Sequence, residues 1–338
     1  MDNLLQKLHK NWEHFQLPAT AENIKFSTAS RNPLTVVVCV SGGSDSVALL
    51  HLLQRQRTLL NLELHILYLN HQLRAEASQE QHFVQSLADL YKIPFHHKTA
   101  KHLKSGQSAL QESAREWRIE ESRKLLKHLG GGRIATGHQA DDQIETLLLK
   151  WLRGTHISHL QGMQWKNEPF IRPLLNCRKT ELQEYLKTNQ LTWMEDTSNQ
   201  STAYMRNRVR IELIPLLEEL TRQGLHSRIN DLSEQSRLLR DFLDSDYENW
   251  QQSHKITADN FQDVLPVKVL EQANDLLQQE ILHNFITART GQALGYRKLQ
   301  NIFVQLGTDS KHWEIHLSQE WKICKSGIEL YLQQNQKH

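Results

Sequence analysis

Thr35-Val-Val-Val-Cys-Val40 runs straight into Ser41-Gly-Gly-Ser-Asp-Ser46, and Val47, Leu49, Leu50 and Leu53 follow at mixed three- and four-residue spacing. The β-branched run predicts a buried strand, and the apolar spacing after it predicts a helix packed on the same sheet. Between them the glycines let backbone approach a phosphate, while the helix start presents unpaired N–H groups and the positive end of a dipole. That geometry suits a polyphosphate. It is not a Walker A loop, because no Lys follows the glycines, and the acidic Asp45 instead implies a divalent ion between carboxylate and phosphate. The plainer alternative is a tight turn with a Ser/Asp helix cap.

Outward from this stretch the alternation continues. Strands are expected at 62–69, 94–98, 133–137 and 169–175, and helices at 78–91, 108–129, after the turn 138–142, and at 179–189. Gly130-Gly-Gly132 ends the second of those helices. Strands alternating with amphipathic stretches pack as a parallel sheet covered by helices on both faces, so the expected fold class is α/β with a doubly wound sheet. Beyond residue 200 the alternation stops. Residues 204–246 read as nearly continuous helix interrupted at Pro215 and Gly224, then helices at 267–290 and 296–306 and strands at 312–317, 321–325 and 328–332. The expected organisation is a nucleotide-binding domain at 1–200, a helical arm at 201–255 and a small α+β domain at 256–338.

Composition narrows the partners. The 338 residues hold 40 Lys and Arg against 38 Asp and Glu, a formal charge of +2, so affinity for nucleic acid must come from a local patch. The three cysteines, Cys39, Cys177 and Cys324, are far apart and never in a C-x-x-C pair, which argues against a disulfide framework, a zinc ribbon or an iron-sulfur cluster. The 19 histidines are scattered without ligand spacing. No run reaches the roughly 20 apolar residues that cross a bilayer, and a soluble protein of the reducing cytoplasm, with no membrane partner, is the expectation.

S-G-G-x-D-S after the first strand resembles the PP-loop, or N-type, ATP pyrophosphatases, with their adenine nucleotide α-hydrolase-like fold. Four further segments occur in order: Asn70-His-Gln-Leu-Arg74, Glu112-Ser-Ala-Arg115-Glu-Trp-Arg118, Ala135-Thr-Gly-His138-Gln-Ala-Asp141-Asp142-Gln143-Ile-Glu145-Thr146, and Asp196-Thr-Ser-Asn199 leading to Arg206-Asn207-Arg208-Val209-Arg210. Together they resemble the tRNA(Ile)-lysidine synthetase family. The resemblance implies that ATP activates the C2 oxygen of the wobble cytidine in a CAU-anticodon tRNA(Ile), forming an adenylated intermediate, and that free L-lysine displaces AMP. It implies ATP as substrate and Mg2+ as cofactor.

The same resemblance assigns ATP binding to Ser41, Gly42, Gly43, Ser44, Asp45 and Ser46, with Asp45 holding Mg2+. It makes Asp142 the group that holds the lysine amine, with His138 beside it, Glu145 orienting the helix, and Arg118 meeting lysine or phosphate. Arg206, Arg208 and Arg210 are implied contacts to tRNA, Arg210 also reaching ATP or the acceptor base. Residue-level alternatives stay open: Asp141 or Asp142 as a helix cap, Arg115 and Arg118 as a solvated face, and the three later arginines on either a helix or a loop rim. Trp193 and Tyr204 stack on a base or belong to the core. Ile119 stands where the family usually has Tyr. Two rivals remain, a PP-loop tRNA thiolase and a nucleotide-binding module without chemistry. The oligomeric state, a homodimer included, is open.

Overall fold

The computed structural model describes residues 3–15, 32–70, 77–100, 110–155, 157–195, 205–254, 256, 264–291 and 294–335. These divide into two compact units, 1–144 with 163–212 and 145–162 with 213–338.

The first unit is built on β1 (Leu34–Cys39), β2 (Leu62–Asn70), β3 (Phe95–Thr99), β4 (Arg133–Ala135), β5 (Lys166–Asn167) and β6 (Phe170–Ile171), in the sheet order β3-β2-β1-β4-β6-β5. All neighbours are parallel except the terminal β5–β6 pair. The period-two alternation of a strand explains why both faces are apolar. Val36 and Val38 enter a core with Leu49, Leu50, Leu53 and Ile66, whereas Val37 enters a second one with Leu67, Leu126 and Ile134. Helix α2 (Ser44–Gln56) supplies Leu49, Leu50 and Leu53, and α4 (Leu110–His128) supplies Leu126. Helix α1 (Asn3–Trp12) adds Leu4, Leu5, Leu8 and Trp12 to the larger core. The other helices of this region are α3 (Ala77–Tyr91), α5 (Ala140–Leu152), within which the two units divide, and α6 (Lys179–Thr188).

The strand order carries the functional consequence. The chain steps from β1 through β2 to β3 on one side, then returns to lay β4 on the other side of β1. The loops leaving β1 and β4 therefore emerge at the carboxyl ends of adjacent strands, the switch point at which open α/β sheets take ligands.

Three expectations need correction. Residues 169–175 do not form one strand: Pro169 and Pro173 lack the N–H a ladder needs, so β6 is two residues long, and Leu174 makes only an isolated bridge to Gln139. Helix 267–290 is two helices, Val267–Glu271 and Asp275–Thr290, because the Asn274 side chain accepts the Leu277 N–H at 2.9 Å and starts a new one. The helical stretch after residue 204 contains α7 (Met205–Arg208), a π turn (Val209–Leu213) and α8 (Ile214–Leu220), then α9 (Leu225–Ser253). Pro215 cannot donate to the carbonyl four residues back, which fits the widened turn ahead of it.

In the second unit β7 (Val264–Pro266), β8 (His312–His316), β9 (Trp321–Ser326) and β10 (Glu329–Gln334) form an antiparallel sheet in the order β7-β10-β9-β8. The sequence pattern does not predict β7. The sheet shares a core with Ile281, Phe285 and Ile286 of helix Asp275–Thr290 and with Leu299 and Ile302 of helix Tyr296–Leu306. No described helix is long and apolar enough to cross a membrane.

Candidate active site

After β1 the Val40 N–H still bonds the Leu67 carbonyl at 3.0 Å, and then the backbone turns. Gly42 has φ +91°, a conformation side chains resist, and its carbonyl accepts the Met194 N–H at 2.9 Å. The Ser46 hydroxyl accepts the Ser41 N–H at 3.2 Å and donates to the Gly43 carbonyl at 2.9 Å, stitching the loop shut. This hydroxyl is committed to loop shape. What the turn offers a ligand is backbone: the N–H groups of Ser44 to Ser46 precede the first intrahelical bond, Val47 N–H to the Gly43 carbonyl at 3.0 Å.

The turn after β4 presses against this loop. A Cβ on Gly137 would lie 3.1 Å from the Asp45 carbonyl carbon and 3.1 Å from the Ser46 nitrogen, so any side chain there would push the two turns a few tenths of an ångström apart. Sequence reasoning gives Gly137 no site role. Its only local signal is a glycine between a strand and His138.

Asp45 is half-buried, with Ser44 Oγ donating to its Oδ1 at 3.0 Å. Burial pushes its pKa up to about 6; the charge of Asp142 adds to the rise, while Lys179 and Arg210 oppose it. A carboxylate held short of solvent at a helix start is a hard oxygen donor, so Asp45 fits Mg2+.

Asp142 divides its oxygens. Oδ2 accepts the Gln139 N–H at 3.1 Å and caps α5, while Oδ1 faces Arg206 at 3.3 Å and Arg210 at 3.4 Å. It is thus both a cap and a charged site group. Asp141 donates its N–H to Gln139 Oε1 at 2.6 Å. Arg206 and Arg210, four residues apart across the α7–π junction, turn to the same carboxylate. Arg208 does not; it pairs with Glu212 at 3.1 Å on the exposed surface.

His138 is half-buried with Nδ1 2.8 Å from Thr136 Oγ1. Burial lowers its pKa to about 3, helped by the charges of Arg172, Arg206, Arg118 and Arg115. The imidazole is therefore neutral at pH 7 and a poor base. Arg118 stands on α4 above the end of β1: its carbonyl accepts the Ser122 hydroxyl at 2.7 Å, and Ser122 Oγ lies 3.8 Å from Cys39 Sγ. Surrounding protein lowers the Arg118 pKa, with Arg115 and Arg206 adding to the fall.

Other expected site residues distribute differently. Glu145 is completely buried on α5. Trp193 packs against the larger core of the first unit. Residues 71–74, 196–199 and Tyr204 lie outside the described residues, as does the Glu112 side chain. The thiols of Cys39 and Cys177 are pushed up to about 11 and about 12 by burial, which keeps both protonated at neutral pH.

A glycine-bearing loop at the switch point, an acidic residue at the following helix start and a second acidic turn after β4 define a PP-loop protein, and a PP-loop domain model matches residues 16–217. Comparison with curated proteins narrows the class. The chain is 33% identical over 227 residues to the tRNA(Ile)-lysidine synthase of Chlorobaculum tepidum, covering 66% of this chain and 69% of that one. It is 31% identical over 315 residues to that of Enterococcus faecalis, covering 89% and 66%. The chain belongs to the tRNA(Ile)-lysidine synthase family. It spans about half the length of other curated relatives, 47% for the Clostridioides difficile synthase at 30% identity over 63% of this chain. Among solved structures, the U34-tRNA thiolase NcsA from Methanococcus maripaludis, with its 4Fe-4S cluster, superposes with a TM-score of 0.54 at 14% identity, over 70% of this chain and 78% of that one. That likeness is one of fold.

Proposed function

We propose that the protein is a carbon–nitrogen ligase that joins L-lysine to C2 of the wobble cytidine in a CAU-anticodon tRNA(Ile) at the expense of ATP. The observation that carries this reading is the meeting of the Ser41–Ser46 loop with the Gly137–Asp142 turn, in a member of the lysidine synthase family. In the first step the cytidine O2 attacks the α-phosphorus, the bond to the pyrophosphate oxygen breaks, and an adenylated base forms. The backbone N–H groups at the start of α2 face the charge that develops on the phosphates. Mg2+ held by Asp45 would supply further charge neutralisation there.

In the second step the lysine ε-amine attacks C2, the C2–O bond breaks, AMP leaves and the amine gives up a proton. Asp142 holds the incoming amine as a cation. Because Asp142 is already engaged by Arg206 and Arg210, that amine competes with the two guanidiniums and frees them for ATP or RNA phosphate. His138, with its depressed basicity, orients by hydrogen bonding rather than serving as the base. Residues 1–200 carry the ATP chemistry, and 201–255 with 256–338 hold the tRNA, Arg206 and Arg208 at its backbone.

The test is ATP-to-AMP conversion with a CAU tRNA(Ile) transcript, with and without lysine. Lysine-dependent AMP release with lysidine on the RNA is expected. AMP release indifferent to lysine, with no lysidine on the RNA, sinks the assignment. A nucleotide-binding module without chemistry would bind ATP and release nothing.

A further inference from the structure

The positive charges of the first unit's crevice outnumber the acids that meet them. Asp142 serves Arg206 and Arg210, whereas Arg115, Arg118 and Arg172 have no ion-pair partner among the described residues. Arg172 is the least expected of these. It follows the last residue of β6, whose Ile171 carbonyl accepts the Thr136 N–H at 3.1 Å, and two residues later Leu174 bridges Gln139. Backbone 171–174 thus runs directly beside 136–139, with Arg172 next to His138.

Strand alternation decides which way it faces. Ile171 belongs to the core under α2, and Phe170 packs with Val37, Leu126 and Ile134 under α4. Arg172 alternates back to the α4 face, the face that carries Arg115 and Arg118. Its charge is the largest of those depressing His138, after burial.

The guanidinium is held from one side. Nη1 donates to the Gln164 carbonyl at 2.6 Å, while Nε is buried without a hydrogen-bond partner. An arginine anchored through Nη1 keeps its Nη2 edge, a charged donor suited to a carboxylate. We propose that this edge of Arg172, backed by Arg115 and Arg118, receives the α-carboxylate of the amino-acid substrate while an amine of the same molecule lies at Asp142. The proposal rests on the lysine-ligation reading and makes Arg172 the residue that separates an amino acid from a bare amine.

The experiment compares L-lysine with 1,5-diaminopentane, which has the same terminal amine and no carboxylate, using the full chain, CAU tRNA(Ile) transcript and Mg·ATP. The unaltered protein is expected to prefer lysine by about 100-fold or more in kcat/KM, as a site built for a polar group rejects the analogue that lacks it. Arg172→Gln should shrink that preference about 10- to 100-fold, chiefly through KM for lysine, and Arg172→Lys should restore part of it. Equal use of both amines by the unaltered protein overturns the proposal without needing a folded variant. So does an Arg172→Gln protein that loses lysine and diamine equally, which marks a structural role, or one whose tRNA KM rises at unchanged preference, which marks an RNA phosphate contact. Turnover by the unaltered protein that requires neither amine overturns the ligation reading and this proposal together, whereas the preference ratios bear on Arg172 alone.

Discussion

The two units treat charge in opposite ways. In the second, Glu280 is 2% exposed yet fully engaged: Arg240 donates to it at 2.7 Å and reaches Asp244 with its other edge. Burial alone would lower the Arg240 pKa, but Asp244 and Glu280 raise it. In the first unit Asp45 is pushed up to about 6, His138 down to about 3, and three arginines have no acidic partner among the described residues. Charges paired in burial hold a structure; a carboxyl held short of solvent, as Asp45 is, waits for a ligand, while Arg115 and Arg118 are exposed to solvent. The first unit tolerates this because its sheet is apolar on both faces, which leaves the strand ends free for polar chemistry.

The largest effect should come from the most frustrated group. Asp45→Asn keeps the shape and removes the charge, so adenylation should fall by about 1,000-fold, the scale of removing a key electrostatic stabiliser. Stability should move the other way. Because the folded pKa of about 6 lies above the ordinary 3.8, folding favours the protonated acid, and ionisation costs stability that sets in as pH rises from about 4 to about 6. Thermal melts without Mg2+ or ATP should show the variant gaining on the parent at pH 7.5 and matching it near pH 4. A variant less stable at pH 7.5 would erase the contrast between the units.

In the second unit the same logic reverses sign. Glu280→Gln keeps an acceptor for Arg240 but removes the buried negative charge, and should cost about 2 kcal/mol, read by denaturant unfolding, the scale of a hydrogen bond to a charged group. The KM for ATP should not change. A neutral result would mean that this pair is no better settled than the crevice charges.

Much of this contrast is readable in the sequence, and the remainder is not, for specific reasons. Residues 35–46 announce themselves because a β-branched run, a glycine turn and an amphipathic helix are all local patterns. Gly137 and Arg172 matter through neighbours far along the chain, Asp45 and Thr136 respectively, and no periodicity encodes that. Arg206, Arg208 and Arg210 are legible as a positive cluster, but which of them turns to Asp142 depends on the π turn. Nor does spacing reveal that His159, Glu280 and His283 come within 4.8 Å of one another, with Arg240 already supplying positive charge to Glu280. Short strands fare worst, since the three residues of β7 acquire their identity from pairing with β10.

A smaller effect distinguishes arginines within the first unit. Arg208 faces solvent with Glu212, so Arg208→Gln should leave adenylate chemistry in place and lower the slope of log tRNA affinity against log salt by about one unit for each phosphate no longer neutralised. Arg206→Gln should lower the slope and also disturb lysine use, because Arg206 shares Asp142 with the amine. Identical behaviour of the two variants would place both on the RNA path alone.

The smallest effect tests whether the number of bonds or their burial decides stability. Arg237 on α9 donates at short range to both oxygens of Glu234, at 2.6 and 2.9 Å, and to Asp241 at 2.5 Å. On hydrogen bonds alone it rivals Arg240 on the same helix. Its side chain is 47% exposed, however, against 18% for Arg240, and its partners are more exposed still. Water screens such pairs and side-chain entropy opposes them, so Arg237→Ala should cost less than about 1 kcal/mol. Raising salt to about 1 M should shrink even that, since the screening length falls to about 3 Å. A destabilisation matching that of Glu280→Gln would show that the second unit is held by its surface network rather than by its buried pair.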